Sequence, residues 1–256
     1  MSGHSKWSKI KRSKGLLDTK RGKIFAKFSK EIAVACRHGG GDPGFNPRLR
    51  TIILKARAAN MPADNLDRAI KKGTGELAGV NYEEMIYEGY APGGVAVLVE
   101  ALTDNKNRTA GDLRAIFTKH GGNLAGAGAV KHLFRRHGQF LIARDQTSED
   151  ALLALALEAG ADDVLTHAEN YEVLTEPNQF EAVSKVLEAN KLKPQAAEIA
   201  YLPAVPVAVT DAKVAGAVLN LLEALDDNDD VQNVYSSGSP MIWRANTNCV
   251  GRRRSG

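Results

Sequence analysis

The N-terminal residues MSGHSKWSKIKRSK combine closely spaced cations with one aromatic ring. No acidic residue interrupts the cations, which are Lys6, Lys9, Lys11, Arg12 and Lys14. Cations neutralise phosphates, and the indole ring of Trp7 can stack on a base or hold an arginine. The run therefore predicts a contact with nucleic acid, and the alternative is a solvated tail.

A second polar group lies in the segment Asp104–Thr109 (DNKNRT). It joins a predicted strand to a predicted helix, and backbone N–H groups at a helix start attract anions. Two amides, a lysine and an arginine at such a corner suit contacts with phosphates or bases. The candidates are Asn105, Lys106, Asn107 and Arg108. The alternative is a polar turn in which Thr109 caps the helix.

The usual patterns of catalytic and cofactor-binding residues do not stand out. Gly39-x-Gly41-x-x-Gly44 has the spacing of a dinucleotide fingerprint, but it follows a predicted helix where that fingerprint needs a strand. The histidines His120, His132 and His137 are scattered, without ligand spacing to cysteine or carboxylate. We therefore expect no catalytic residue, no metal and no cofactor.

An acidic cluster near the end of the chain has two interpretations. Asp226, Asp227, Asp229 and Asp230 offer oxygen ligands of the kind that Mg²⁺ accepts. More often such a run is the solvated end of a helix before a strand, and that is the expectation here.

Charge is distributed unevenly along the chain. Residues 1–75 hold 18 lysines and arginines against 5 acidic residues, whereas residues 137–203 hold 4 against 12. The basic end attracts polyanions and the acidic region repels them, so binding should be oriented. Two distant cysteines, Cys36 and Cys249, give no disulfide framework, and no apolar run reaches the length of a membrane span. We expect a cytoplasmic protein that does not enter a membrane.

Residues 1–75 are predicted to form a bundle of three helices. Apolar residues recur at four-residue spacing from about Leu16 to His38, and glycines follow. Asn46-Pro47 predicts the start of a second helix, and Pro62 the start of a third that ends near Gly73. The cations expected to face outward from this bundle are Lys20, Arg21, Lys23, Lys27, Arg48 and Arg50, and we include them among the nucleic-acid-binding candidates.

The rest of the chain alternates strands and helices. Residues 137–203 read as β-α-β-β-α-β, a ferredoxin-like order. Residues 82–136 and 204–238 each read as half of a second α+β sandwich, with expected strands at Val130–Phe134 and Val205–Val209. The interpretation is one sandwich inserted into another, after which residues 239–256 are expected to be disordered; the alternative is two sandwiches in series.

Several segments together resemble the YebC/PmpR family, whose mitochondrial relative is the translational activator of cytochrome c oxidase subunit I. The resemblance runs from residue 1 to about residue 238. It rests on Gly3–Trp7, Lys20–Phe25, Gly39–Pro43, Asn46–Arg50, Tyr87–Tyr90, Pro92–Gly94, Asp104–Thr109, Gly121–Asn123 and Asp230–Tyr235.

The resemblance implies a helical bundle followed by two α+β domains, one inserted in the other, and a cytosolic regulator without enzymatic activity. Many family members are labelled DNA-binding transcriptional regulators, and others resemble factors acting on ribosomes stalled in proline-rich stretches. Two partners thus stay open, ribosomal RNA or tRNA on the ribosome and promoter DNA. The connection around Gly39–Phe45 is long for a helix-turn-helix, which favours RNA. A protein partner is expected at the acidic inserted region.

Overall fold

The computed structural model describes residues 17–238, with side chains from residue 21 onward, so Lys6, Trp7, Lys9, Lys11, Arg12 and Lys14 lie outside the described residues. The helices are α1 (Leu17–Gly39), α2 (Pro47–Ala58), α3 (Ala63–Thr74), α4 (Lys106–Lys119), α5 (Glu149–Glu158), α6 (Phe180–Ala189) and α7 (Ala212–Asp226). The strands are β1 (Glu83–Ala91), β2 (Val95–Thr103), β3 (Asn123–Ala125), β4 (Phe134–Ala143), β5 (Ala161–Thr166), β6 (Asn170–Thr175), β7 (Ala196–Pro203) and β8 (Val231–Ser236).

The predicted fold class is confirmed: an N-terminal helical bundle precedes two α+β sandwiches. Helices α1, α2 and α3 surround a small core that includes Ile32, Leu49 and Leu66. The predicted start of α2 is also confirmed. The Asn46 side chain accepts a hydrogen bond from the Leu49 N–H and donates to the carbonyls of Ala35 and Gly40, so it fixes the connection as well as the cap.

The first sheet has the strand order β3-β1-β2-β8, in which all neighbouring strands are antiparallel. Helices α4 and α7 cover one face, and their Phe117 and Leu221 pack against β2 residues such as Val97. The other face, with Leu98 of β2, packs against β4 and β7 of the second sheet. Because both faces are covered, β2 is a nearly continuous apolar strand.

The second sheet has the order β5-β6-β4-β7, and α5 and α6 cover one face of it. With the chain order β4-α5-β5-β6-α6-β7, this is the predicted ferredoxin-like unit. Leu152, Val183 and Leu187 are buried in its core. Leu157 is 49% exposed, because it lies on the outer side of α5.

Several local predictions were wrong. The expected strand Val130–Phe134 is mostly a short 3₁₀ turn, and only its last residue, Phe134, belongs to a strand, β4. A boundary at residue 136 would therefore cut this strand, which pairs with β7 from Phe134 onward. The expected strand Val205–Val209 is reduced to one bridge between Val207 and Gly238.

The segment Gly121–Gly128 contains a short strand. Residues 123–125 form β3, and the loop that follows is held by a carboxylate. Glu88 of β1 is 4% exposed and accepts hydrogen bonds from the backbone N–H groups of Gly128, Val130 and Lys131, each at 2.7 Å. Burial raises the pKa of Glu88, but these backbone donors outweigh that effect and lower it.

Candidate nucleic-acid interface

Three lysines of α1 bind the turn that follows α7. Lys23 Nζ donates to the Asp227 carbonyl at 2.9 Å, and Lys27 Nζ donates to the Asp226 carbonyl at 2.7 Å. Lys27 Nζ also lies 3.2 Å from Asp226 Oδ1. We call residues Asp226–Asp230 the acidic turn; the third lysine, Lys30, binds its last residue. Carbonyls at the C-terminal end of a helix favour cations. The end of α7 and its acidic turn therefore bind the lysine face of α1.

Asp230 joins three side chains from two helices at the end of the acidic turn. Its carboxylate accepts hydrogen bonds from Lys30 Nζ at 2.8 Å, Arg108 Nη2 at 2.9 Å and Thr109 Oγ1 at 2.8 Å. Burial raises the pKa of Asp230, but the hydrogen bonds from these three partners outweigh it and bring the pKa to about 2.

The acidic cluster lies at a helix end before a strand, as expected, and Asp227 and Asp229 are exposed. The expectation that it is solvated was wrong for Asp226 and Asp230, whose carboxylates join α1, α4 and the end of α7.

In the corner Asp104–Thr109, the helix starts earlier than expected and is capped by a different residue. Helix α4 begins at Lys106, and Asn105 is its cap, because its side chain accepts from the Arg108 N–H at 3.1 Å. The alternative in which Thr109 caps the helix was therefore wrong. Thr109 lies in the first turns of the helix, fully buried.

The cations of this corner pair within the protein. Lys106 Nζ lies 2.5 Å from Glu83 Oε2, and Arg108 Nη2 contacts both Asp104 and Asp230. The Arg108 side chain is nevertheless 48% exposed. Asn107 is also exposed beside it. A phosphate at Arg108 would share a guanidinium that already bridges two carboxylates. Phosphate binding by Arg108 stays a prediction.

Helix α2 divides its cations between two flanks. Arg48 pairs with Glu84, and Lys55 Nζ lies 3.6 Å from Glu198 Oε2, so this flank faces the two sheets. Arg50 projects from the opposite flank. Among residues 21–238, no side chain forms an ion pair or hydrogen bond with Arg50, which is exposed. Arg50 is thus available to a ligand as far as residues 21–238 are concerned, whereas Arg48 is paired with Glu84.

The remaining predicted residues lie near the start of α1. Lys20 belongs to this helix, but its side chain is outside the described ones, and Arg21 is exposed on the following position. The structure thus separates the predicted set into two groups. Lys23, Lys27, Arg48, Lys106 and Arg108 contact groups within the protein, whereas Arg50 and Asn107 lie on its surface.

Sequence reasoning missed the pairing of α1 with the acidic turn. A signal for it existed: Lys23, Lys27 and Lys30 share one helix face, and four aspartates follow the last predicted helix. Within residues 17–238, no group of three or more histidine, cysteine, aspartate or glutamate side chains has the geometry of a metal site, and no helix there is long and apolar enough to cross a membrane.

Comparison with known proteins matches nearly the whole chain. The model of the TACO1/YebC protein N-terminal domain matches residues 5–76, and that of the TACO1/YebC second and third domain matches residues 82–237. A probable transcriptional regulatory protein of Opitutus terrae is 54% identical over 93% of this chain and 96% of its own length. One of Persephonella marina is 52% identical over 93% and 95%.

The fold comparison agrees with the sequence comparison. The crystal structure of a conserved hypothetical protein from Aquifex aeolicus superimposes with a TM-score of 0.80 at 48% identity. The match covers 90% of this chain and 95% of that one. The same order of helical bundle and two sandwiches is thus present in a relative of almost equal length. The chain belongs to the TACO1/YebC family.

Proposed function

We propose that the protein is a non-catalytic regulator of gene expression that binds nucleic acid through its N-terminal helical unit. Its target is ribosomal RNA or tRNA on the translating ribosome, where it relieves stalling at proline-rich stretches. It acts in the cytoplasm.

The observation that carries the proposal is the unequal distribution of charge between the units of the fold. The N-terminal 75 residues have 18 cations against 5 acidic residues. Some of these cations hold the fold together at the acidic turn, and others, such as Arg50, face outward. The ferredoxin-like unit carries the opposite charge, so a polyanion is attracted to one end of the molecule and repelled from the other.

RNA is favoured over duplex DNA by the shape of the helical unit. In a helix-turn-helix a turn of about 3–4 residues joins the two helices. Here residues 40–46 connect α1 to α2, and this connection is fixed by Asn46. A bundle whose first two helices lack that turn suits irregular RNA, which proteins recognise by stacking on unpaired bases and by phosphate contacts.

DNA is the alternative target, and the names of the relatives favour it. The proteins of Opitutus terrae and Persephonella marina are both named probable transcriptional regulatory proteins. These names also support a regulator rather than an enzyme. On this alternative the same basic surface would bind promoter DNA.

The ferredoxin-like unit is proposed to face a protein partner rather than the nucleic acid. Leu153 and Leu157 lie on the outer side of α5, and they are 38% and 49% exposed. Acidic residues begin and end the same helix, at Glu149 and Glu158. An apolar pair between acidic ends suits a partner that is partly basic and partly apolar.

Crosslinking in cells, followed by sequencing of both bound RNA and bound DNA, tests the choice of target. We expect enrichment of ribosomal RNA or tRNA over total RNA, with duplex DNA at background. Adding the purified protein to a translation reaction should shorten the pause at a run of prolines and leave a proline-free message unchanged. Enrichment of promoter DNA alone, with no effect on the pause, would overturn the ribosomal proposal.

A further inference from the structure

The connection between α1 and α2 presents one aromatic ring to solvent. Phe45 is 88% exposed, the largest exposed fraction among the large apolar side chains of the described residues. A singly exposed apolar residue is ordinary, so exposure alone decides nothing. The loop that carries the ring and the exposed residues of α2 indicate a binding surface.

The loop that carries Phe45 is rigid. Asp42 accepts hydrogen bonds from the Gly44 N–H through its side chain and from the Phe45 N–H through its carbonyl. A Cβ atom on Gly41 would approach the Thr74 side chain to 2.6 Å, so the loop packs closely on α3. The backbone that carries the ring is therefore held in place before any ligand arrives, which reduces the backbone entropy lost on binding.

Phe45 is followed in the sequence by helix α2, which has an exposed outer side. Arg50, Leu54 and Arg57 follow at spacings of four and three residues, so they share one side of the helix. Leu54 is 60% exposed, and Arg50 and Arg57 are exposed without an ion pair or side-chain hydrogen bond to any residue in 21–238. Helix α2 contains no acidic residue. We call Phe45, Arg50, Leu54 and Arg57 the α2 outer face.

The N-terminal and C-terminal segments of the chain are poor candidates to bind the α2 outer face. Residues 1–16 carry five cations and no acid, and residues 239–256 carry four arginines and no acid. Either segment would bring positive charge against Arg50 and Arg57, which is unfavourable. The positive charge of Arg50 and Arg57 favours an anionic partner. The exposed Phe45 ring favours a partner with flat apolar faces.

We propose that the α2 outer face binds an unpaired RNA segment, with one base stacked on Phe45 and phosphates bound by Arg50 and Arg57. The inference rests on the proposed RNA-binding function and specifies where and how the RNA lies. Unpaired RNA has both features that the surface needs, exposed base planes and closely spaced phosphates. In an ideal helix Arg50 and Arg57 are about 10 Å apart along the axis, and the segment would run from Phe45 along α2.

The test uses the full-length protein and three oligonucleotides of equal length. These are a single-stranded oligouridine, a strand with the same phosphates but abasic sites, and a fully paired duplex DNA. Phe45→Ala should weaken binding of oligouridine by about 5- to 150-fold, as expected for loss of one stacked base. It should leave the abasic strand unaffected, and Phe45→Trp should retain oligouridine binding.

The arginines are tested with a matched pair on the same helix. Arg57→Gln should weaken oligouridine binding and reduce the salt slope of the binding constant by about one. Lys55→Gln removes the same charge from the flank that faces Glu198, and it should leave both quantities unchanged. Thermal melts of all variants establish that the fold is intact, which is expected for exposed positions.

The outcomes separate this inference from the proposed function. If the wild type binds oligouridine and Phe45→Ala binds it equally well, the stacking site is wrong and the RNA-binding function stands. Equal losses on the abasic strand or the duplex would also overturn it, because the ring would then not act on bases. If the wild type binds only the duplex DNA, the RNA function itself fails.

Discussion

Lys30 Nζ lies 2.8 Å from Asp230 Oδ1, and 200 residues of chain separate the two. Their ion pair joins the first described helix to the turn before the last strand. Arg108 and Thr109 share the same carboxylate, so one side chain connects the helical unit, α4 and the end of α7. Substitutions at this junction should therefore change the stability of the whole fold.

Replacement of Asp230 should reveal a stability contribution that depends on pH. The pKa of Asp230 in the folded protein is about 2, below its ordinary value of 3.8. A lowered pKa stabilises the folded state above the unfolded pKa, and this stabilisation is lost as the pH falls toward 2. Asp230→Asn should lower the free energy of unfolding by about 1–3 kcal/mol at pH 7.

The difference between wild type and Asp230→Asn should shrink between about pH 5 and pH 2, as measured by urea unfolding. Asp67→Asn, which changes an exposed aspartate of α3, is the control and should show a small and constant difference. A difference of the same size at pH 7 and pH 3 would contradict the assignment of the pKa to these contacts.

Lys27 should act in docking of α1 rather than in binding phosphate. Its Nζ lies 3.2 Å from Asp226 Oδ1, and the two side chains are only 13% and 16% exposed. Lys27→Asp should lower the free energy of unfolding by about 2–4 kcal/mol, because it places like charges together. The double variant Lys27→Asp with Asp226→Lys should recover a large part of this loss. RNA binding that stays low in the stabilised double variant would instead assign Lys27 to the nucleic acid.

The N-terminal lysines should determine the salt dependence of binding. If the basic end contacts about 5–8 phosphates, the logarithm of the binding constant should fall with the logarithm of salt concentration at a slope of roughly −4 to −7. Changing Lys9, Lys11 and Lys14 to Glu should flatten the slope by about one for each phosphate that the variant no longer binds. The measurement is RNA affinity at several salt concentrations, and an unchanged slope would exclude these lysines.

Glu88→Gln should loosen the loop at residues 126–131. A glutamine keeps the size of the side chain but has one acceptor oxygen, and its amide would oppose a backbone N–H. We expect a loss of about 1–3 kcal/mol in the free energy of unfolding. Hydrogen exchange at Gly128, Val130 and Lys131 should become faster, while exchange in β6 stays unchanged. Unaltered exchange at all three positions would show that the carboxylate does not hold the loop.

The ferredoxin-like unit should fold alone if the fragment begins where β4 begins. Residues 134–203 include every pairing of β4 with β7, whereas a fragment that starts at residue 137 loses the pairs made by Phe134, Arg135 and Arg136. The longer fragment should melt cooperatively and at a higher temperature than the shorter one, and it should bind no RNA. A disordered longer fragment would reject this boundary.

Prediction from sequence succeeded where a local signal sets the structure. Asn46-Pro47 predicted the start of α2 correctly because the Asn46 side chain caps the helix, and the cap needs no information from distant residues. Strand β4 was misread because Arg135, Arg136 and His137 interrupt its apolar pattern. Pairing of β4 with β6 and β7 holds the whole segment as one strand.

The candidate site was harder to predict, because one pattern suits two partners. A lysine face on α1 complements a phosphate backbone and an aspartate cluster equally well, and only the fold brings Asp226 and Asp230 to it. In the same way, periodicity places Arg48 and Arg50 on the surface of α2 but does not show which flank meets Glu84. The partners of long charged side chains depend on tertiary contacts.

The pairing of Phe134 with Pro203 has a consequence for how the protein is assembled. The Ala204 N–H donates to the Leu133 carbonyl at 2.9 Å, so the chain enters and leaves the ferredoxin-like unit at one point. Those 70 residues, 134–203, form a closed loop on a two-stranded stem, and a short linker from residue 133 to residue 204 would bypass them. The strands β3, β1, β2 and β8 would keep their order, although the apolar face of β2 and β8 would lose its cover. Such a stem lets one module be exchanged for another without altering the path of the chain in the first sheet.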